Sequence, residues 1–393
     1  MKVIVTGVAG FIGSHAAERF LRRGAQVIGL DNLSRPGGPY NLAYLAAIAD
    51  EGQFIFRHCD VRRWSDVDAA FADGAVDVVI HEAGQVAVTT SVADPRSDFD
   101  ANALGTLNVL EATRLRAPHA IFLFASTNKV YGALDHAAVT EAAQRYCYRD
   151  IPEGVDERAP LDFHSPYGCS KGCAEQYVRD YHRIYGLKSV VFRQSCVYGP
   201  RQYGMEDQGW VAWFSIAAVL GHPITIFGDG KQTRDLLWID DLIDLYLLAI
   251  DNIQVAAGRI YNAGGGVSYS LSILELLALL EHLLHKRIPY SRSNWRPGDQ
   301  RIFTANCARA RQELNWAPTR DPRRGVGEML EWIRGAEKQV AELVGTRLLT
   351  PSQSSRFLTR NVVETNSGDP VMESGCTSTT RQSSDAISSK ITS

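Results

Sequence analysis

Residues 2–15 read KVIVTGVAGFIGSH, and the fold is decided there. Val3–Val5 is a β-branched apolar run. Gly7, Gly10 and Gly13 follow at G-x-x-G-x-x-G spacing, and a helical pattern opens at once behind them. Strand, glycine turn and helix in that order let a backbone close on a pyrophosphate, whose charge then meets the amino terminus of the helix. A second signal stands about twenty residues further on: Asp31 ends the next apolar run, QVIGLD. A carboxylate at that place accepts ribose hydroxyls and repels a 2′-phosphate, which favours NAD over NADP. Arg35 is the nearby residue that would argue for NADP.

Outward from this stretch the same rhythm repeats. FIFRHCD, VDVVIHEAG, AIFLFAS and KSVVFRQS are near-continuously apolar, as strands covered on both faces should be. Segments such as HAAERFLRRG and ANALGTLNVLEATRLR lie between them at helical spacing. The expected fold is α/β, a Rossmann-type doubly wound parallel sheet with a smaller α/β substrate-binding lobe. We expect the dinucleotide domain over 1–200 with 235–265 returning to it, and the lobe over 201–234 and 266–340. In SILELLALLEHLLHK, Ser272 and Glu275 read as a capping box on a soluble amphipathic helix. The Ser/Thr-rich stretch 347–393 has too few large apolar residues to build a core and is expected to be disordered.

Composition narrows the functions. A formal net charge of −3 offers no general attraction to nucleic acid or to an acidic membrane, so an anionic ligand must be held by a local site. The first residues do not read as a secretory leader, because glycines break the apolar run. The seven cysteines are scattered without a C-x-x-C, which fits reduced cytoplasmic thiols and predicts no metal site.

The chemistry centres on HSPYGCSKGC, His164–Cys173. Tyr167 and Lys171 share a helical face, and an ammonium beside an oxidised nicotinamide would favour the phenolate, making Tyr167 a base near neutral pH. Ser165 reads as the N-cap of that helix and Pro166 as its first residue. Thr127, just past the fifth apolar run in FASTNKVYG, can orient a sugar hydroxyl towards the tyrosine. Asp60 closes the third run, where it could hold an adenine amino group. Ala83–Gly84 after the fourth leaves room for a cofactor against the backbone, while His81 reads as structural.

Thr127, Tyr167 and Lys171 on a dinucleotide fold resemble the short-chain dehydrogenase/reductase superfamily. The length and extra lobe resemble its extended branch of nucleotide-sugar enzymes, as do NALGT (Asn102–Thr106) and VYGPRQ (Val197–Gln202). Within the branch, HEAGQVAVTTSVADP, STNKVYG, DFHSPYGCSKG, DQGWVAWF and GDGKQTRD are similar to the 2-epimerases of CDP-dideoxyhexoses, from Met1 to about Ile333. A 4,6-dehydratase carries an acidic pair after its threonine, where this chain has Asn128–Lys129. A typical 4-epimerase carries an asparagine where this chain has Cys196. Glu82, where leucine is usual, and Ala125–Ser126, where a serine pair is usual, are departures.

The resemblance implies inversion at C2 by transient oxidation to a 2-keto sugar on a tightly bound, recycled NAD. Tyr167 would be the base, with Thr127 and Lys171 beside it. The cofactor set would be Gly7, Gly10, Phe11, Ile12, Gly13, Asp31, Asn32, Asp60, Val61, Ala83, Gly84, Asn102 and Lys171. Gln85, Thr127, Arg201, Gln208, Arg234 and Arg301 would hold a nucleotide-diphosphate sugar, with the arginines on phosphate. No nucleic acid or membrane is expected as partner, and a cytoplasmic homo-oligomer, dimer or tetramer, paired through two helices per subunit, is. C4 epimerisation of a UDP-hexose and a non-catalytic NAD-sensing module are the alternative readings.

Overall fold

In the computed structural model, residues 1–72, 75–296 and 299–348 are described; the rest of the stretch expected to be disordered lies outside them. The central sheet has seven parallel strands. They are β1 (Lys2–Thr6), β2 (Gln26–Asp31), β3 (Phe54–His58), β4 (Val78–His81), β5 (Ile121–Thr127), then Lys188–Gln194 and Ile260–Ala263. β1 lies between β2 and β4, with β3 outside β2. On the other side β4 is followed by β5, Lys188–Gln194 and Ile260–Ala263. The chain therefore reverses direction at β1, and the crevice beyond the carboxyl ends of β1 and β4 is where such sheets bind ligands.

Each strand serves both faces, as a period of two requires. Val3 and Val5 join one core with Phe20, Ile80, Phe192 and Tyr246. Ile4 joins the opposite core with Ile28, Val79, Phe122 and Val178. β3 departs from the expectation of burial on both faces: none of its residues is fully buried and His58 is exposed, because it is the sheet edge. Arg57 and His58, polar side chains on such an edge, discourage pairing with another chain.

A second sheet builds the smaller lobe. Thr233–Trp238 pairs in parallel with Cys196–Tyr198 and Ile302–Phe303, and antiparallel with Ser270–Ser272. The expected change of lobe between 234 and 235 thus coincides with the interior of one strand. Ile224–Phe227 and Tyr290–Ser293 form a further parallel pair. The helix Ile273–Leu284 carries the complete capping box: Ser272 Oγ accepts the Glu275 N–H at 3.1 Å, and the Glu275 carboxylate accepts the Ser272 N–H at 2.8 Å. No helix among the described residues is long and apolar enough to cross a membrane.

Candidate active site

The glycine turn joins β1 to helix α1 (Phe11–Arg22). Gly7 takes φ of +69°, and a Cβ there would lie 2.8 Å from the Ala83 nitrogen. A Cβ on Gly13 would lie 2.1 Å from the Gly7 carbonyl oxygen. Both positions need glycine, one for its left-handed backbone and both for close approach. Phe11 and Ile12 open the first turn of α1, where unpaired backbone N–H groups gather. Asp31 closes the same cradle: its carboxylate accepts the Ala9 N–H at 3.0 Å and the Leu33 N–H at 2.8 Å. Burial raises Asp31 above the usual carboxylate range, with those two N–H groups opposing the shift. A turn that only glycine can form, facing a carboxylate with spare lone pairs, fits a dinucleotide.

Neighbouring residues are more committed than their spacing suggested. Arg62 grips Asp60 through two nitrogens, Nε at 2.9 Å and Nη2 at 2.5 Å, and holds its pKa down to about 2. Val61 packs on Gly105, and its carbonyl accepts from Asn108. Asn102 sits in a π-helical turn, Asp100–Leu104. Its amide is spent on the Gln85 backbone, Asp98 and Ser170, at 2.9–3.2 Å. Asn102 thus pins the Ala83–Gly84–Gln85 loop to the helix that carries Tyr167. The Gln85 side chain turns inward to Asp98 and the Ala87 carbonyl.

The structure brings Thr127, Tyr167 and Lys171 together at the carboxyl end of the sheet, each at most 8 % exposed. Thr127 ends β5 opposite Gln194. Tyr167 and Lys171 lie in the first two turns of the helix Ser165–Tyr185. That helix starts one residue earlier than expected, at Ser165 with His164 before it; the Ser165 hydroxyl accepts the Gly168 N–H at 3.3 Å, and Ser165 has φ of +67°. The Thr127 hydroxyl accepts the Lys129 N–H at 3.3 Å and favours the ionised form of the Tyr167 phenol. Lys171 Nζ stands 4.5 Å over the Phe124 ring and 3.8 Å from where a Cβ on Gly84 would be.

Electrostatics depart from one expectation. Burial pushes Tyr167 up to about 12, the Thr127 hydrogen bond opposes it, and Asp98 and Glu82 push the same way as burial. Lys171 is itself brought down to about 8 by burial, with Glu82, Asp98 and Glu175 opposing the shift. The protein's own groups therefore leave Tyr167 protonated, and a further positive charge is needed to make it a base. An oxidised nicotinamide would supply one.

Glu82, the odd residue at the end of β4, points into this region. Its carboxylate accepts the Tyr246 hydroxyl at 2.6 Å, and Tyr246 in turn accepts from Gln194, which lies opposite Thr127 on the neighbouring strand. Burial raises Glu82 to about 7 against the pull of Tyr246 and Lys171. The charge at Glu82 was legible in the sequence; its link to Lys171 was not. Nothing in the local pattern singled out Asp98 or Tyr246. His81 is structural: it is buried between the Thr6 and Thr106 hydroxyls, at 2.7 and 3.0 Å, against Phe122 and Phe124.

The expected substrate arginines part company. Arg234, on the Thr233–Trp238 strand, donates to the Gln300 carbonyl at 2.6 Å, and its charge acts on Lys129 and Cys196. Arg301 lies over the Tyr146 ring at 5.6 Å and is exposed. The structure does not bring Arg201 to the cluster. Its guanidinium pairs with Glu18 of α1 at 2.6 Å and covers Tyr44 at 4.1 Å. A cation already neutralised by a partly buried carboxylate is a poor phosphate ligand. Gln208 closes a tight turn with Met205 through backbone hydrogen bonds. Among the described residues, no three His, Cys, Asp or Glu converge as a metal would require, and the six described cysteines are free.

A profile of the NAD dependent epimerase/dehydratase family matches residues 3–264. The CDP-paratose 2-epimerase of Salmonella typhi is 44% identical over 337 residues, which cover 84% of this chain and 99% of the relative. The UDP-glucose 4-epimerase of Mycolicibacterium smegmatis is 32% identical, over 85% of this chain and 99% of the relative. Among solved structures, UDP-glucuronic acid 4-epimerase from Bacillus cereus, in complex with UDP-glucuronic acid and NAD, superposes with a TM-score of 0.72 at 29% identity, covering 85% of this chain and 99% of that one. UDP-glucose 4-epimerase from Thermotoga maritima, with UDP-glucose, gives 0.72 at 28% identity, covering 86% and 100%.

Proposed function

The chain belongs to the NAD dependent epimerase/dehydratase family as an NAD-dependent isomerase of nucleotide sugars, and from that premise we propose that it inverts C2 of a CDP-dideoxyhexose, CDP-paratose to CDP-tyvelose. The observation that carries the substrate is the 44% identity to a CDP-paratose 2-epimerase over almost the whole of that relative. NAD, when bound, supplies a reversible hydride acceptor. Gly7, Gly10 and Gly13 would admit its pyrophosphate to the end of α1, and Asp31 would accept its ribose hydroxyls.

Tyr167 takes the proton of the C2 hydroxyl through its phenolic oxygen and later returns it. Thr127 holds that hydroxyl in line, and the Lys171 ammonium stabilises the phenolate as it forms. The resulting 2-keto sugar must present its opposite face before reduction, so the hexose cannot be gripped tightly. Affinity then falls to the nucleotide diphosphate, with Arg234 as a phosphate ligand. Asn128–Lys129 behind Thr127 provides no carboxyl group to expel water, which separates this site from a 4,6-dehydratase.

We place the enzyme in the cytoplasm with its water-soluble substrate, as a homo-oligomer. Exposed Leu115 on one helix, and Tyr177, Ile184 and Tyr185 on the neighbouring one, support pairing of two copies through these helices.

The test is product stereochemistry by NMR after separate incubation with CDP-paratose and UDP-glucose. The expected product is CDP-tyvelose from the first and nothing from the second. Turnover of UDP-glucose alone would overturn the assignment. Tyr167→Phe should lower the rate by about two orders of magnitude or more while keeping its NAD.

A further inference from the structure

Lys129 stands two residues beyond Thr127, largely buried, and the reaction described above does not use it. Its ammonium donates to Gln300 Oε1 at 3.2 Å. The Gln300 backbone carbonyl accepts from Arg234 Nη2 at 2.6 Å. One residue thus holds two cations side by side. Neither has a carboxylate at ion-pair distance among the described residues. Two other buried or half-buried arginines do have such partners: Arg193 has Glu175 at 2.5 Å, and Arg145 has Glu275 at 2.6 Å. Two like charges without an ion-paired carboxylate raise each other's energy, and an anionic ligand removes that penalty.

The position of this pair speaks to regiochemistry. In a sugar nucleotide, C2 is bonded to the anomeric carbon that bears the β-phosphate, whereas C4 lies across the ring from it. Setting C2 at Thr127 and Tyr167 therefore draws the β-phosphate close to the end of β5, where Lys129 is. Setting C4 there would hold the phosphate a ring's width away. We propose that Lys129 binds the β-phosphate of the substrate beside Thr127 and so places C2, rather than C4, at the reacting position. The inference rests on the C2-epimerase reading and assigns the residue that sets its regiochemistry. The groups facing Lys129 are Arg234, Cys196 and Asp299; burial first, then Arg234, lower its pKa to about 8, and Asp299 opposes them. Below that value the lysine is charged and ready for phosphate.

The experiment is calorimetric titration of the NAD-loaded enzyme at pH 7 with CDP and, separately, CMP, which lacks the β-phosphate. Lys129→Met should weaken CDP about tenfold or more, the scale of a lost charged hydrogen bond, and leave CMP unchanged. Lys129→Arg should recover part of the CDP affinity. Lys129→Met should also lower kcat for CDP-paratose, since a sugar without its phosphate anchor is misplaced rather than merely loosely bound. Equal affinity of variant and wild type for CDP, or equal losses for CDP and CMP, would overturn the proposal. Weaker CDP binding with kcat unchanged would overturn the placing of C2. Should Lys129→Met fail to fold, Lys129→Gln carries the same comparison. If wild type binds another nucleoside diphosphate and does not turn over CDP-paratose, the C2 reading fails by itself. The phosphate contact is then judged with that diphosphate and its monophosphate.

Discussion

At the end of β4, Glu82 carries a carboxyl raised from its ordinary 4.5 to about 7, chiefly by burial. Between those values the unfolded chain has already released this proton while the folded chain still holds it. Stability must therefore fall as pH rises through that window, and the cost stays in place above it. Glu82→Gln keeps an acceptor for Tyr246 and has no charge to bury. Its melting temperature relative to wild type should rise between pH 5 and pH 8, by about 1–2 °C for each kcal/mol relieved. A difference that is flat with pH would show that the carboxylate is not strained. The same substitution removes the negative neighbour that steadies the Lys171 ammonium, itself near 8. The alkaline limb of the pH–rate profile should then move to lower pH.

The glycine turn and α1 act as one element, and its tolerance is set by one contact. Gly13 lies against the backbone of Gly7, where a methyl group would sit 2.1 Å from a carbonyl oxygen. A backbone atom cannot swing aside like a flexible side chain. Gly13→Ala should cost about 1–3 kcal/mol of stability and lower the NAD retained after purification. Melting temperature and the cofactor-to-protein ratio measure the two effects, and full NAD content would show that the turn does not hold the cofactor. The helix Ser165–Tyr185 is the other element of the site. Asp98 and Asn102, some seventy residues earlier in the chain, meet it at Ser170, with Asp98 Oδ2 at 2.5 Å and Asn102 Nδ2 at 3.0 Å from the hydroxyl. Tyr167 is thereby registered against the loop that carries Gly84.

For the whole molecule, the outer face of Gly105–Arg116 and Ser165–Tyr185 is the place to look for a second copy. Ile184 is 66% exposed and Leu115 53%, beside Tyr185, whose ring lies 5.0 Å from the Arg114 guanidinium. The double variant Leu115→Glu, Ile184→Glu should shift the enzyme towards monomer in analytical ultracentrifugation while keeping its NAD. An unchanged sedimentation coefficient would exclude this face as the interface.

Much of the fold and the core of the site follow from local chemistry. The apolar runs specify a parallel sheet because strands covered on both faces cannot tolerate polar alternation. Gly7, Gly10, Gly13 and Asp31 announce a dinucleotide through spacing, and the Tyr167–Lys171 interval is set by the pitch of a helix. Tertiary structure decided what those groups can do, because burial and neighbours distant in sequence set their charge. It joined Glu82 to Tyr246 and Gln194, turned Arg201 onto Glu18, and spent Asn102 on Asp98 and Ser170. It also set Lys129 and Arg234 around Gln300, an arrangement no spacing encodes, because its members come from segments that meet only once the sheet and the smaller lobe have closed.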